Sequence, residues 1–132
     1  LSVIQELQLK CPEVDIEVDD RYIDFSEMNT ELMAADYVLA PYLGFFGSSG
    51  ILGHACRLEK PMIACEEGLL GELVRELEVG LTVNPRDLGA LANCLRVALQ
   101  DDFPYNVGAA GRYIKAADYR KFSETLIADW NE

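Results

Sequence analysis

Two short apolar runs decide the fold: Tyr37-Val38-Leu39-Ala40-Pro41, and Pro61-Met62-Ile63-Ala64-Cys65 some twenty residues later. The first reads as a buried strand stopped by Pro41, the second as another strand that begins after Pro61. Between them lies a glycine-rich loop from Tyr42 to Gly50, and then Ile51, Leu52, Ala55 and Leu58 fall at helical spacing until Pro61 breaks the helix. A strand, a helix and a strand in that order form a βαβ unit, which requires parallel strands and a right-handed crossover.

Working outward, the same alternation continues. Gly68-Leu69-Leu70-Gly71 leads into a helix carrying Leu73, Val74 and Leu77 that is expected to end near Gly80, and Leu81-Thr82-Val83 reads as the next strand. Asn84-Pro85-Arg86-Asp87 predicts a helix start with Asn84 as the cap and Pro85 at the first position, followed by a stripe of Leu88, Leu91, Ala92, Leu95 and Leu99. Upstream, Val14, Ile16 and Val18 alternate with Asp15, Glu17 and Asp19, the pattern of a strand with one wet face. Ser26 is expected to cap a helix in which Met28, Leu32 and Ala35 share a face. Two more helices are predicted, near 107–118 and 122–130. The expected class is α/β, a Rossmann-like parallel sheet flanked by helices, as a single domain over 1–132 with C-terminal helices from about 107.

Composition narrows the function. The chain has 132 residues, enough for one domain with a real core, and half of them are hydrophobic. No apolar run approaches the roughly 20 residues of a membrane span, and Leu1-Ser2-Val3-Ile4-Gln5-Glu6 does not read as a signal peptide. Eleven Lys and Arg face 23 Asp and Glu, for a net charge of −12. A field of that sign repels phosphate backbones, so no nucleic-acid partner is expected, and a phosphorylated ligand would have to be held by local dipoles. Cys11, Cys56, Cys65 and Cys94 are widely spaced and only His54 could join them, so no metal site is expected. Unpaired cysteines of this kind suit a reduced, cytoplasmic protein.

In parallel sheets ligands sit beyond the carboxyl ends of the strands. Two loops leave those ends, Pro41 to Gly50 and Glu66 to Gly71. Within Gly44-Phe45-Phe46-Gly47-Ser48-Ser49-Gly50 the free N–H groups and dipole of a helix start offer an anion site, with Ser48 or Ser49 as the cap. The alternative is that the serines only cap and the glycines only turn. His54 lies one turn into that helix, at the edge of the apolar stripe, where it is either a ligand contact or a packed polar residue. The carboxylates of Glu66 and Glu67 could accept hydrogen bonds from sugar hydroxyls or simply form a solvated acidic turn. No Ser/His/Asp or Cys/His set presents itself. The acidic pairs Asp19-Asp20 and Asp101-Asp102 lack the neighbours that would complete a metal site.

Taken in order, these segments resemble family 4 retaining glycosyltransferases. Met33-Ala34-Ala35-Asp36-Tyr37-Val38-Leu39-Ala40-Pro41-Tyr42 is similar to that family's Ala-Asp, strand, Pro segment, and Glu59-Lys60-Pro61-Met62-Ile63-Ala64 to its Gly-Lys-Pro-Val-Ile-Ala. Gly68-Leu69-Leu70-Gly71-Glu72-Leu73-Val74 resembles the next loop and helix, and Val79-Gly80-Leu81-Thr82-Val83-Asn84-Pro85-Arg86-Asp87 the Gly-Leu, strand, Pro-x-Asp segment. The resemblance runs from about Val14 onward and implies the later part of the C-terminal, nucleotide-sugar-binding domain of a GT-B enzyme.

It further implies that Gly47, Ser48, Ser49 and Gly50 face the donor diphosphate, that His54 lies near the ribose, and that Glu67, Gly68 and Leu69 border the sugar or base. Catalysis would rest on electrostatic stabilisation of the leaving diphosphate, with no cofactor, no metal and no general base from these residues. The activity implied is hexosyltransferase-like, in polysaccharide or glycoconjugate synthesis, with the acceptor unspecified. The sequence departs from the family in two ways. The family's pair of glutamates, one in the loop and one in the helix, would fall at Phe46 and His54, neither acidic. The expected N-terminal domain, which would bind the acceptor and make any peripheral membrane contact, is not represented, so the chain alone is expected to be inactive. Loss of both glutamates also opens the alternative of a non-catalytic GT-B-like binding or assembly module. A flavodoxin-like or receiver domain fits less well, because Pro41 and Cys65 stand where a receiver would place an acceptor Asp.

Overall fold

The computed structural model describes residues 3–100, 103, 105–118 and 120. The predicted 122–130 helix and the Asp101-Asp102 pair lie outside them. Three parallel strands, β1 (Val38–Ala40), β2 (Met62–Cys65) and β3 (Gly80–Val83), form one sheet in the order β1-β2-β3. Val38 stands opposite Met62, and Met62 in turn opposite Gly80. The chain is α/β, as the alternation of apolar runs and helical stripes requires.

The central strand shows why the sheet has two covered faces. All four residues of β2 are buried, and successive side chains point to opposite faces. Met62 and Ala64 join the larger core with Leu32 of α2 (Phe25–Ala34), Leu52, Ala55 and Cys56 of α3 (Gly50–Arg57), Leu70 and Val74 of α4 (Gly68–Glu76), and Ala110 of α6 (Val107–Ala116). Ile63 joins a smaller core on the other face with Val83 and with Cys94 and Ala98 of α5 (Leu88–Ala98). That second layer reaches only β2 and β3, so Leu39, opposite Ile63 in register, is left 56% exposed. Gly80 admits the closest approach in the sheet, since a Cβ there would run into the backbone of Met62.

Several local expectations are corrected. Residues 14–20 form no strand, and Val14 and Val18 stay exposed: alternation alone does not order a segment that finds no sheet edge to pair with. Asp24, not Ser26, caps α2. Its carboxylate accepts the Glu27 N–H at 2.9 Å while Glu27 reaches back to the Asp24 N–H, and Arg21 forks onto Glu27. That arginine and the Asp24 backbone hold the Glu27 carboxyl below its usual range. Asp87, not Asn84, caps α5 through the Ala90 N–H, and Asn84 instead accepts the Arg86 N–H in a turn just ahead of it. α4 stops at Glu76, before Gly80, because Glu78 takes a left-handed φ of 52° and reverses the chain. A short helix α1 (Val3–Lys10), which no periodicity announced, buries none of its residues.

Candidate functional site

The carboxyl edge of the sheet carries three connections: 41–49 after β1, Glu66 and Glu67 after β2, and 84–87 after β3. At the end of the first, Ser49 adopts extended backbone and its hydroxyl oxygen accepts the Ile51 N–H at 3.3 Å, which makes it the cap of α3. The Leu52 N–H turns to the Ser49 carbonyl. The remaining orphan N–H groups of the first turn, together with the helix dipole, favour an anion at this end.

α3 lies against α6, and between them is a depression of about 260 Å³. Ser48, Ser49, Gly50, Gly53, His54 and Arg57 line one wall, and Tyr113, Ile114 and Ala117 the other. His54 sits edge-on to Phe25, ring centroids 4.9 Å apart, and its Nδ1 is buried without a hydrogen-bond partner among the described residues. A buried, unpaired nitrogen is an energetic liability in a core, and this one belongs to a residue on the pocket wall. Arg57 sits three residues past His54 on the same helical face and has no acidic partner among the described residues. Burial in the same region raises the Tyr113 phenol and pushes the Cys56 thiol up to about 11, so both stay protonated at neutral pH.

The second loop is held against the first. Gly68 has a left-handed φ of 80°, and a Cβ there would come within 2.7 Å of the Phe45 carbonyl oxygen and 3.1 Å of the Phe46 Cα. The next N–H, from Leu69, donates to the Phe46 carbonyl at 3.3 Å. Glu67 occupies the cap position of α4 but makes no cap hydrogen bond; its carboxylate pairs loosely with Arg86 at 3.6 Å, linking the loops after β2 and β3.

The expected residues therefore fall into two groups. Ser48, Ser49, Gly50 and His54 share one pocket; Gly68 and Leu69 lie on the Phe45–Phe46 stretch and Glu67 faces Arg86, none of the three on that pocket's wall. Gly47 connects them, packed under the Phe45 ring. Sequence reasoning passed over Arg57, Tyr113 and Arg86. Arg57 could have been found, because Gly50, Gly53, His54 and Arg57 recur at helical spacing. Tyr113 could not, since only the packing of α6 on α3 brings it in. A wider groove of about 520 Å³ between β3 and α5, lined by Glu66, Thr82, Asn84, Asp87, Asn93 and Cys94 among others, also went unmarked.

No three acidic, cysteine or histidine residues cluster as a metal site among the described residues, and no described helix is long and apolar enough to cross a membrane. No protein-family model, curated protein or solved structure matches the chain.

Proposed function

We propose that this chain is the donor-binding portion of a glycosyltransferase, taking a nucleotide-diphosphate sugar at the carboxyl edge of its sheet. The supporting observation is the Ser49-capped start of α3, with Ser48, Gly50 and His54 on the wall of a single pocket. In this reading the α3 amino end and the serine hydroxyls hold the diphosphate, and His54 lies beside the ribose. Arg57 supplies positive charge further along the same wall, which matters in a chain of net charge −12. As the sugar leaves, negative charge builds on the diphosphate, and oriented N–H groups already in place stabilise it without reorganising. Transfer with retention, acceptor binding and a cytosolic location belong to the same reading, with the acceptor met by a further domain.

The test is an amide-resolved NMR titration of the chain with UDP, GDP and ADP at millimolar concentration. Shifts confined to residues 47–54 and 67–69 are the expected result, and one nucleotide should outdo the others. Saturating amounts of all three without a shift in 47–54 would overturn the reading.

A second reading, a non-catalytic GT-B-like binding module, is favoured by one feature: Phe46 and His54 stand where the resembling family carries acids. If Phe46→Glu with His54→Glu gains nucleotide-sugar binding that the parent chain lacks, this second reading is preferred.

A further inference from the structure

Among the described residues β3 borders the sheet, paired with β2 on one side and with no strand on the other. The Val79 and Val83 carbonyls accept the Met62 and Glu66 N–H groups. Successive residues of a strand turn their backbone bonds to opposite sides, so Leu81 also faces β2, whereas Gly80 and Thr82 face outward. No described residue bonds the Thr82 N–H or carbonyl on that outer side. A strand side left open in this way is a template for another extended segment.

The groove of about 520 Å³ runs along the same strand. Leu81 and Val83 of β3 with Cys94 and Val97 of α5 give it apolar walls, and Thr82 borders it. Glu66 and Asp87 line it where β2 and β3 end. Asp87 caps α5 through its Oδ1, and neither carboxylate has an ion-pair partner among the described residues. Arg86, in the turn that leads to Asp87, pairs with Glu67 instead. The groove therefore keeps uncompensated negative charge in a chain of net charge −12, a field that draws cations. The Thr82 side chain lies on the other face of the sheet, where Arg75 of α4 donates to its hydroxyl at 3.3 Å and to the Glu66 carbonyl at 3.0 Å. A positive side chain is repelled on that face and welcomed on the α5 face.

These features choose among occupants. Nucleic acids and lipid headgroups carry phosphate, which Glu66 and Asp87 repel, and a second copy of the chain brings another net charge of −12. An extended peptide with basic residues satisfies both the open backbone and the charge. We propose that the groove between β3 and α5 docks an extended, basic segment of a partner protein, which adds a strand beside β3 and turns its apolar and cationic side chains toward α5. The α3–α6 pocket takes no part in it.

The probe is the capped pentapeptide acetyl-Lys-Thr-Val-Thr-Lys-amide, whose lysines and valine share one face and whose end cations serve either strand direction. Titrated to millimolar concentration into the chain, it should shift the amides of residues 80–84 and 90–97. At saturation it should slow deuterium exchange at Thr82 about tenfold. Two control peptides should bind about tenfold more weakly: one with glutamate for both lysines, and one with prolines as its second and third residues, which lack the N–H groups that pair in either direction. Thr82→Pro removes the outward N–H but keeps the Leu81 and Val83 bonds to β2, and should abolish the shifts. Glu66→Gln with Asp87→Asn, which retains a cap for α5, should weaken the basic peptide about three- to tenfold. If Thr82→Pro disturbs the amides of β1, the charge variant and the proline peptide decide. No shift in 80–84 from the basic peptide, equal binding of either control, or full binding by the charge variant overturns the proposal. So does a concentration-dependent shift of the same amides without peptide, matched by a dimer in sedimentation, which gives that side of β3 to a second copy.

Discussion

The two edges of the sheet are built on opposite plans. At the amino edge the chain returns from helix to strand through tight turns closed by left-handed glutamates, Glu59 at φ 54° and Glu78 at φ 52°, with backbone bonds such as Lys60 N–H to Ala55 carbonyl and Val79 N–H to Val74 carbonyl. At the carboxyl edge a nine-residue connection, 41–49, leaves Tyr42, Leu43, Phe45 and Phe46 at the surface, with Leu69 of α4 also exposed nearby. One edge satisfies its own polar groups and hides little else. The other leaves apolar rings and helix-end N–H groups facing outward. In a parallel sheet that asymmetry is what separates the edge that holds the fold from the edge that can hold a ligand.

Substitutions should sort by edge. The largest effect is expected at the amino end of β3: Gly80→Val places a side chain against the Met62 backbone and should cost about 4 kcal/mol or more, read as loss of a cooperative urea transition. At the carboxyl edge Gly68→Ala should cost about 2 kcal/mol, from its left-handed φ and its contact with the Phe45 carbonyl. It should also disturb the amide shifts of residues 45–47. If Gly68→Ala proves harmless in both measurements, the two loops are not locked together. Ser49→Ala should lower stability by about 1 kcal/mol through the lost cap and weaken diphosphate binding as well, whereas a purely structural cap would show only the first effect. Glu59→Gly should move the other way, raising stability by about 0.5 kcal/mol as the left-handed strain is relieved, with ligand binding untouched.

A separate effect is one of pH. Burial raises the Cys56 thiol from its ordinary 9.0 to about 11 and the Tyr105 phenol from 10.0 to about 12. Both bind their protons more tightly folded than unfolded. Their contribution is therefore complete below pH 9, declines as the unfolded groups ionise, and is gone once pH has passed the folded values. Denaturation midpoints at pH 8 and pH 10.5 should differ, and Cys56→Ala should narrow the gap.

What the sequence could reveal followed the range of the interactions. Met62–Cys65 was legible to the residue, because a fully buried strand needs only an apolar run between a proline and acidic residues. A serine cap on α3 was legible for the same local reason, but only the structure decides for Ser49 over Ser48. Val14 to Val18 misled, because alternation specifies a face and not the strand edge that would use it. Asn84 and Asp87 could not be told apart, since both accept N–H groups two or three residues ahead and only the backbone path decides which one opens the helix. The contact of Gly68 with Phe45 and Phe46 was out of reach, because two loops separated by a whole helix and strand must meet before it exists.

The Asn106–Glu78 contact carries a consequence for how the molecule comes apart. Asn106 donates its backbone N–H to the Glu78 carbonyl at 2.8 Å and its side-chain amide to the Glu78 carboxylate at 2.9 Å, while its own amide oxygen caps α6. The helix bearing Tyr113 is thereby fastened at its first residue to the reversal between α4 and β3. Opening of that helix and of that reversal should therefore be one event: their amides should exchange with solvent deuterium at a common rate, and the far wall of the pocket should persist only as long as a turn on the opposite edge of the sheet stays closed.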